Sequence, residues 1–390
     1  APRHVTGERN CHLPRITQRM RGRPWGLAGR ACRKRSLPRG IMWAALSTAE
    51  DGRKGYKMNE EDLYQQLATR VLMPQSKLIP ELFRIIADEE EARTLLATPG
   101  TAEELAQKLG VDAGEMEDRL SVLFRKGLVF KSQRPEGTVY RMCRDIAQFH
   151  DASILWPEAP EEYHRLWKRF MAEEWPEFAR MVSQLLPKPF SRVITVQQPV
   201  DARSRILAFD DVEAIIRGAG RLAVTKCTCR LIDGKCGKPV EVCLQVGKAA
   251  DYTLERGSGR EVDVEEALRI IREAEEAGLV HVTMNRSRDF HFICNCCDDC
   301  CMSFTLISKG INLCDPSRFQ AQVDTEKCSG CGTCLERCFF DALSLRGEEG
   351  EQVSVVDPEK CMGCGLCMVT CPEEAISLAA VREEDFVPQG

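Results

Sequence analysis

The chain has 390 residues, 43% hydrophobic and 29% charged, the balance of a water-soluble protein long enough for about two or three domains. No apolar run approaches the roughly 18 residues a membrane span needs, which argues against membrane insertion. Residues 1–57 carry 14 Lys and Arg against 3 Asp and Glu, leaving 40 against 56 for the rest, and so acidic a body argues against a general nucleic-acid surface.

In chain order, residues 1–57 are rich in Arg, Gly and Pro and show neither a helical nor a strand period. They read as a disordered basic extension. A targeting peptide and translated sequence upstream of a start at Met58 are competing origins. The last is favoured, because Met58-Asn59-Glu60-Glu61-Asp62 supplies the acidic first turn of a helix.

Residues 58–150 read as a small domain, with helices expected over Leu63–Met73 and Pro80–Thr98. Thr101 with Glu104 is a capping box opening a short helix to Leu109, and Gly110 supplies the turn. Asp112 with Glu115 opens the next helix, which reaches Lys126 before Gly127 stops it. Leu128–Gln133 and Thr138–Cys143 then read as strands around the turn 134–137. This order resembles a winged helix-turn-helix domain, which implies either DNA binding or protein docking. The expected reading helix opens with Glu115, Glu117 and Asp118, which would face phosphates, so docking is preferred.

Residues 151–315 read as a cysteine-rich α/β domain. Its expected helices are Glu161–Leu186, with Tyr163, Trp167, Phe170, Trp175 and Phe178 as core, then Phe209–Gly218 and Val264–Gly278. Its expected strands are Arg221–Cys229, Leu279–Met284 and Phe290–Cys294.

The chain has 21 cysteines, and eighteen fall between Cys227 and Cys371. Clusters this close in a long chain are ligand sets rather than a disulfide framework. One group is Cys227, Cys229, Cys236 and Cys243; another is Cys294, Cys296, Cys297, Cys300 and Cys301, with Cys314 beyond. Each group has enough thiolates for a 4Fe-4S cubane or a tetrahedral zinc site, and the dense Cys-Cys steps favour iron-sulfur. The strings Cys227-Thr228-Cys229-Arg230, Gly278-Leu279-Val280-His281 and Cys294-Asn295-Cys296-Cys297 resemble a cysteine-rich module that precedes ferredoxin domains in proteins of anaerobic bacteria and archaea.

Residues 319–378 carry the most specific signal. Cys328-x2-Cys331-x2-Cys334-x3-Cys338 is repeated 33 residues later as Cys361-x2-Cys364-x2-Cys367-x3-Cys371-Pro372. In this pattern the fourth cysteine of each run ligates the other cluster. The expected sets are therefore Cys328, Cys331, Cys334 and Cys371 for one 4Fe-4S cluster, and Cys361, Cys364, Cys367 and Cys338 for the second. The runs closely resemble bacterial two-cluster ferredoxins, departing from them at Phe339, where a proline is usual. Residues 379–390 form a tail.

There is no Gly-x-Gly-x-x-Gly, no phosphate-binding Gly-x4-Gly-Lys loop and no His-Glu-x-x-His, and the six histidines form no catalytic set. The expectation is an α+β multidomain electron carrier or oxidoreductase subunit of a reducing cytoplasm, relaying low-potential electrons to a partner protein, with no catalytic residues of its own. Two alternatives stand beside it. One is a redox-sensing transcription regulator that uses the winged helix; the other is an oxidoreductase whose active centre is an unusual cluster near Cys294–Cys301.

Overall fold

The structure, a computed structural model, describes residues 62–196, 210–348 and 350–389. The basic extension 1–57 and the start at Met58 lie outside the described residues.

Where the pattern suggests a single helix from Pro80 to Thr98, the chain forms two, Leu78–Ile86 and Glu89–Ala97. Asp88 divides them. Its carboxylate accepts the Glu91 N–H while the Glu91 side chain accepts the Asp88 N–H, a reciprocal cap that starts a new helix. The same device at Thr101 and Glu104 opens Ala102–Leu109, and Asp112 caps Ala113–Arg125, as their sequences indicate. Strands β1 (Val129–Arg134) and β2 (Gly137–Met142) then pair antiparallel.

The long helix expected over Glu161–Leu186 is also two, Glu161–Glu173 and Trp175–Leu185. Pro176 has no N–H to continue the first helix but fits the first turn of the second. At the break, Glu174 accepts the N–H groups of Lys77 and Leu78 at 3.0 and 3.2 Å, capping Leu78–Ile86 from outside. The aromatics of this stretch are core. Trp167 is fully buried beside Phe149 and Phe170, and Phe149 stacks on Phe83 with ring centres 4.2 Å apart.

A seven-stranded sheet forms the middle of the protein. Its strands are β3 (Ser191–Val193), β4 (Leu222–Lys226), β5 (Glu241–Val246), β6 (Arg260–Glu261), β7 (Val280–Met284), β8 (Phe292–Cys296) and β9 (Cys314–Asp315), in the spatial order β6-β4-β5-β8-β7-β3-β9. Every pairing is antiparallel except β3 with β9. The middle segment is therefore α+β rather than the α/β expected. Neighbouring strands run antiparallel, as β7 does with β8, rather than parallel as in a sheet built from crossover units. The expected strand Arg221–Cys229 stops at Lys226, and Thr228 begins a helix to Asp233, so Cys227 and Cys229 sit at a strand-to-helix turn. β5 and the helix Lys248–Arg256 carry too weak an alternation to be read beforehand.

The C-terminal segment repeats one unit twice. Strand β10 (Phe319–Val323) pairs with β13 (Ile376–Ala380), β11 (Leu343–Arg346) pairs with β12 (Val353–Val356), and short helices run over Thr333–Arg337 and Leu366–Val369. It is anchored on the middle sheet by the Val196 N–H donating to the Cys364 carbonyl at 3.1 Å. Arg337 also donates to the backbone carbonyls of Glu275 and Glu276, satisfying the C-terminus of the helix Val264–Glu276. No helix among the described residues is long and apolar enough to cross a membrane.

Candidate metal centres

The duplicated cysteine runs fold around two cavities. One is lined by Cys328, Cys331, Cys334 and Cys371, the other by Cys338, Cys361, Cys364 and Cys367. In each, three thiols come from one run and the fourth from the other. The reason is local: each run wraps a tight loop and enters a short helix at its third cysteine, which carries the fourth away toward the other half.

The loops depend on glycine at equivalent positions of the repeat. Gly330 and Gly363 have φ of +68° and +65°, and a Cβ would lie 2.2 Å from the Gln352 carbonyl oxygen and 2.0 Å from that of Phe319, respectively. Gly363→Ala must therefore displace the Cys361–Cys364 loop from β10. Its expected result is a protein with about four fewer irons per chain, measured by metal analysis after anaerobic reconstitution. Wild-type iron content in this variant would show that the loop tolerates the shift.

The donor set suits iron-sulfur clusters. Four sulfurs surround each cavity, and backbone N–H groups already point at them: Ser354 donates to Cys328 Sγ and Ala375 to Cys371 Sγ, both at 3.3 Å. Such dipoles stabilise negative charge on sulfur. Burial pushes the Cys364 thiol up to about 12, so an empty cavity keeps that proton and metal binding must expel it. The two cavities differ in position. Cys331 is exposed at the rim of the first, whereas Cys361 and Cys367 are buried. The second cavity is walled by Phe339 and Phe340, both packed on Phe304 with ring centres 5.6 and 5.5 Å away. The residue that departs from the usual proline, Phe339, is thus a contact to the middle segment.

In the middle segment the thiols do not group as they do along the chain. Cys227 adjoins Cys229 and Cys243; Cys229 adjoins Cys301; Cys243 adjoins Cys294; and Cys296 closes the ring between Cys294 and Cys301. That places six thiols together. Cys236, Cys297 and Cys300 stand apart from them with Asp299, all four ligand atoms within 4.8 Å of one another. Cys314 joins neither set; its Sγ faces the Asp315 carbonyl at 3.7 Å.

Two residues of the quoted strings that were given no role, Arg230 and His281, shape this region. Arg230, almost fully buried, donates to the carbonyls of Pro239 and Asn295 at 2.6 and 2.9 Å and lies 3.6 Å from Cys297 Sγ. Its position after Cys229 was visible, but nothing in the pattern marks it as buried. His281 fixes the strand bearing Cys294 and Cys296. The Asn295 amide nitrogen donates to the Val242 carbonyl, so its oxygen is left to accept from His281 Nδ1 at 2.6 Å, while His281 Nε2 meets Glu275 at 3.1 Å.

The six-thiol ring and the second ferredoxin cavity share one apolar cluster. It includes Cys296, Cys301, Phe304, Phe340, Cys361 and Cys367. Phe304 follows Cys301 by three residues, and Phe339 follows Cys338 directly, so the aromatic contact bridges the two thiol sets.

Residues 321–378 match the family described as the 4Fe-4S dicluster domain. No curated protein matches the chain. The C-terminal segment is thus a 4Fe-4S ferredoxin-like domain, and together with the cysteine-rich segment it supports an iron-sulfur electron-transfer role.

Proposed function

We propose that this chain is a multi-centre electron relay that passes low-potential electrons between a donor and a partner oxidoreductase. The observation that carries this reading is the pair of four-thiol cavities in one duplicated domain, one opening at exposed Cys331 and the other turned toward the six-thiol ring. Cys328, Cys331, Cys334 and Cys371 would hold the outer 4Fe-4S cluster, and Cys338, Cys361, Cys364 and Cys367 the inner one. When bound, such clusters supply reversible one-electron transfer.

The chain's own residues set the route. The rim at Cys331 is where a donor can approach, and Phe339 and Phe340 exclude water between the inner cavity and Phe304. The six-thiol ring of Cys227, Cys229, Cys243, Cys294, Cys296 and Cys301 is a further iron-sulfur site continuing the path. The acceptor is a protein that docks on the N-terminal helices.

Docking is favoured over DNA recognition by the state of the cations there. Arg119 is held by Glu90 and Glu115 at 2.7 Å each, and Lys126 by Glu91. Lys131 pairs with Glu255 in the helix Lys248–Arg256, and Phe130 stacks on Tyr252 of the same helix at 4.5 Å. A hairpin fastened in this way has little freedom to enter a groove, and of its cations Lys131 is already neutralised.

The test is metal analysis with EPR of the full chain, prepared without oxygen and reduced with dithionite. About eight irons from the ferredoxin domain plus further iron in the middle segment are expected, with coupled signals from the adjacent clusters. Fewer than about six irons in folded protein would overturn the two-cluster reading. Eight alone would confine the relay to the C-terminal domain.

A further inference from the structure

We propose that Cys236, Cys297, Cys300 and Asp299 form a separate mononuclear zinc-type centre. The inference rests on the clustered middle thiols being metal ligands, but not on this segment carrying electrons.

Three observations carry it. First, the spacing is that of one small cation. Cys236 Sγ and Cys297 Sγ lie 3.9 Å apart, and a tetrahedral ion with metal–sulfur bonds of about 2.3 Å sets its sulfurs about 3.8 Å from one another. Second, Asp299 Oδ1 is buried without a hydrogen-bond partner among the described residues, and this carboxylate lies with the three sulfurs. A buried, unpartnered carboxylate oxygen is costly unless a cation or donor meets it.

Third, the split accounts for the two Cys-Cys steps. Cys296 turns to the six-thiol ring and Cys297 to this site; Cys301 turns to the ring and Cys300 to this site. Each doublet therefore straddles two centres. A cation here ties the loop carrying Cys236 to the turn after β8, fixing both ends of the ring's cysteine supply. Binding would release the thiol protons to solvent, and Arg230 against Cys297 Sγ offsets part of the remaining negative charge.

The experiment uses the full chain, produced with iron and zinc both present and purified without oxygen. The expected result is about one zinc per chain, with a zinc absorption edge fitting three sulfurs near 2.3 Å and one oxygen near 2.0 Å. Cys236→Ser should reduce zinc to below about a tenth of an equivalent while leaving iron unchanged, whereas Cys229→Ser and Cys301→Ser should lower iron and keep zinc. Asp299→Asn, a near-isosteric change at a half-buried position, provides a check independent of misfolding. Cobalt(II) added to the zinc-stripped chain should give tetrahedral thiolate bands that shift in this variant while its circular dichroism does not change.

Zinc that persists in Cys236→Ser, iron lost from that variant, or cobalt bands identical in Asp299→Asn would each overturn the site. If Cys229→Ser and Cys301→Ser retain all their iron while zinc follows Cys236, the site stands and only the extended electron path falls.

Discussion

Replacing Cys338 and Cys361 together is expected to remove no more iron than replacing either one, because both line the same cavity. Cys338 with Cys328, by contrast, should remove two clusters' worth, since these two line different cavities although they belong to one run. The loss is about four irons for the first pair and about eight for the second. Serine is the suitable replacement, being close in size and a poor ligand for iron. Non-additivity of this kind is diagnostic of a shared site, because two lesions in one cluster cannot destroy it twice. If Cys338 and Cys328 proved to be the redundant pair, the crossed arrangement would be wrong. Iron analysis paired with spin quantitation of the reduced protein reads the result directly.

Asp210→Ala is expected to destabilise the folded protein by about 3 to 5 kcal/mol, the cost of removing one partner from a buried ion pair. Asp210 is buried between two buried guanidiniums, with Arg318 Nη1 at 2.7 Å and Arg192 Nη1 at 3.4 Å. Arg192 lies on β3 of the middle sheet, and Arg318 immediately precedes β10 of the ferredoxin domain. The carboxylate thus sits at the joint between them. Burial pushes the Asp210 carboxyl above its ordinary range, against the opposing pull of the Arg318 hydrogen bond and the Arg192 charge. The ionised triad is held at a net cost, and its value lies in what happens when one member is removed. Chemical denaturation of the metal-loaded protein, followed at the aromatic core and at the cluster absorption, measures the change. A difference below about 1 kcal/mol would mean that solvent or neighbouring groups take over the compensation.

Much of this protein was legible from its sequence because cluster ligation is a short-range code. The spacing of Cys328, Cys331 and Cys334, and its repeat 33 residues later, follows from one loop wrapping one cavity, so the chain order carries the geometry. Helix starts at Thr101 and Asp112 were legible for the same reason, since a cap involves residues within one turn. Helix breaks at Asp88 and Glu174 were less so. An apolar period continues across each, and the competing local signals, a second capping box and Pro176, prevail only at the boundary.

The tertiary structure alone decided how the middle cysteines are sorted. Cys243 on β5 meets Cys294 on β8 because those strands are neighbours in the sheet, and no spacing along the chain encodes that pairing. Asp299 stands unremarked between Cys297 and Cys300 until the fold sets it among three sulfurs. Phe339 reads as a departure from a pattern until Phe304 is found against it. In each case the partner is distant in sequence. Local spacing determined which thiols line each cavity of the ferredoxin runs, whereas strand order and packing determined which thiols lie together in the middle segment.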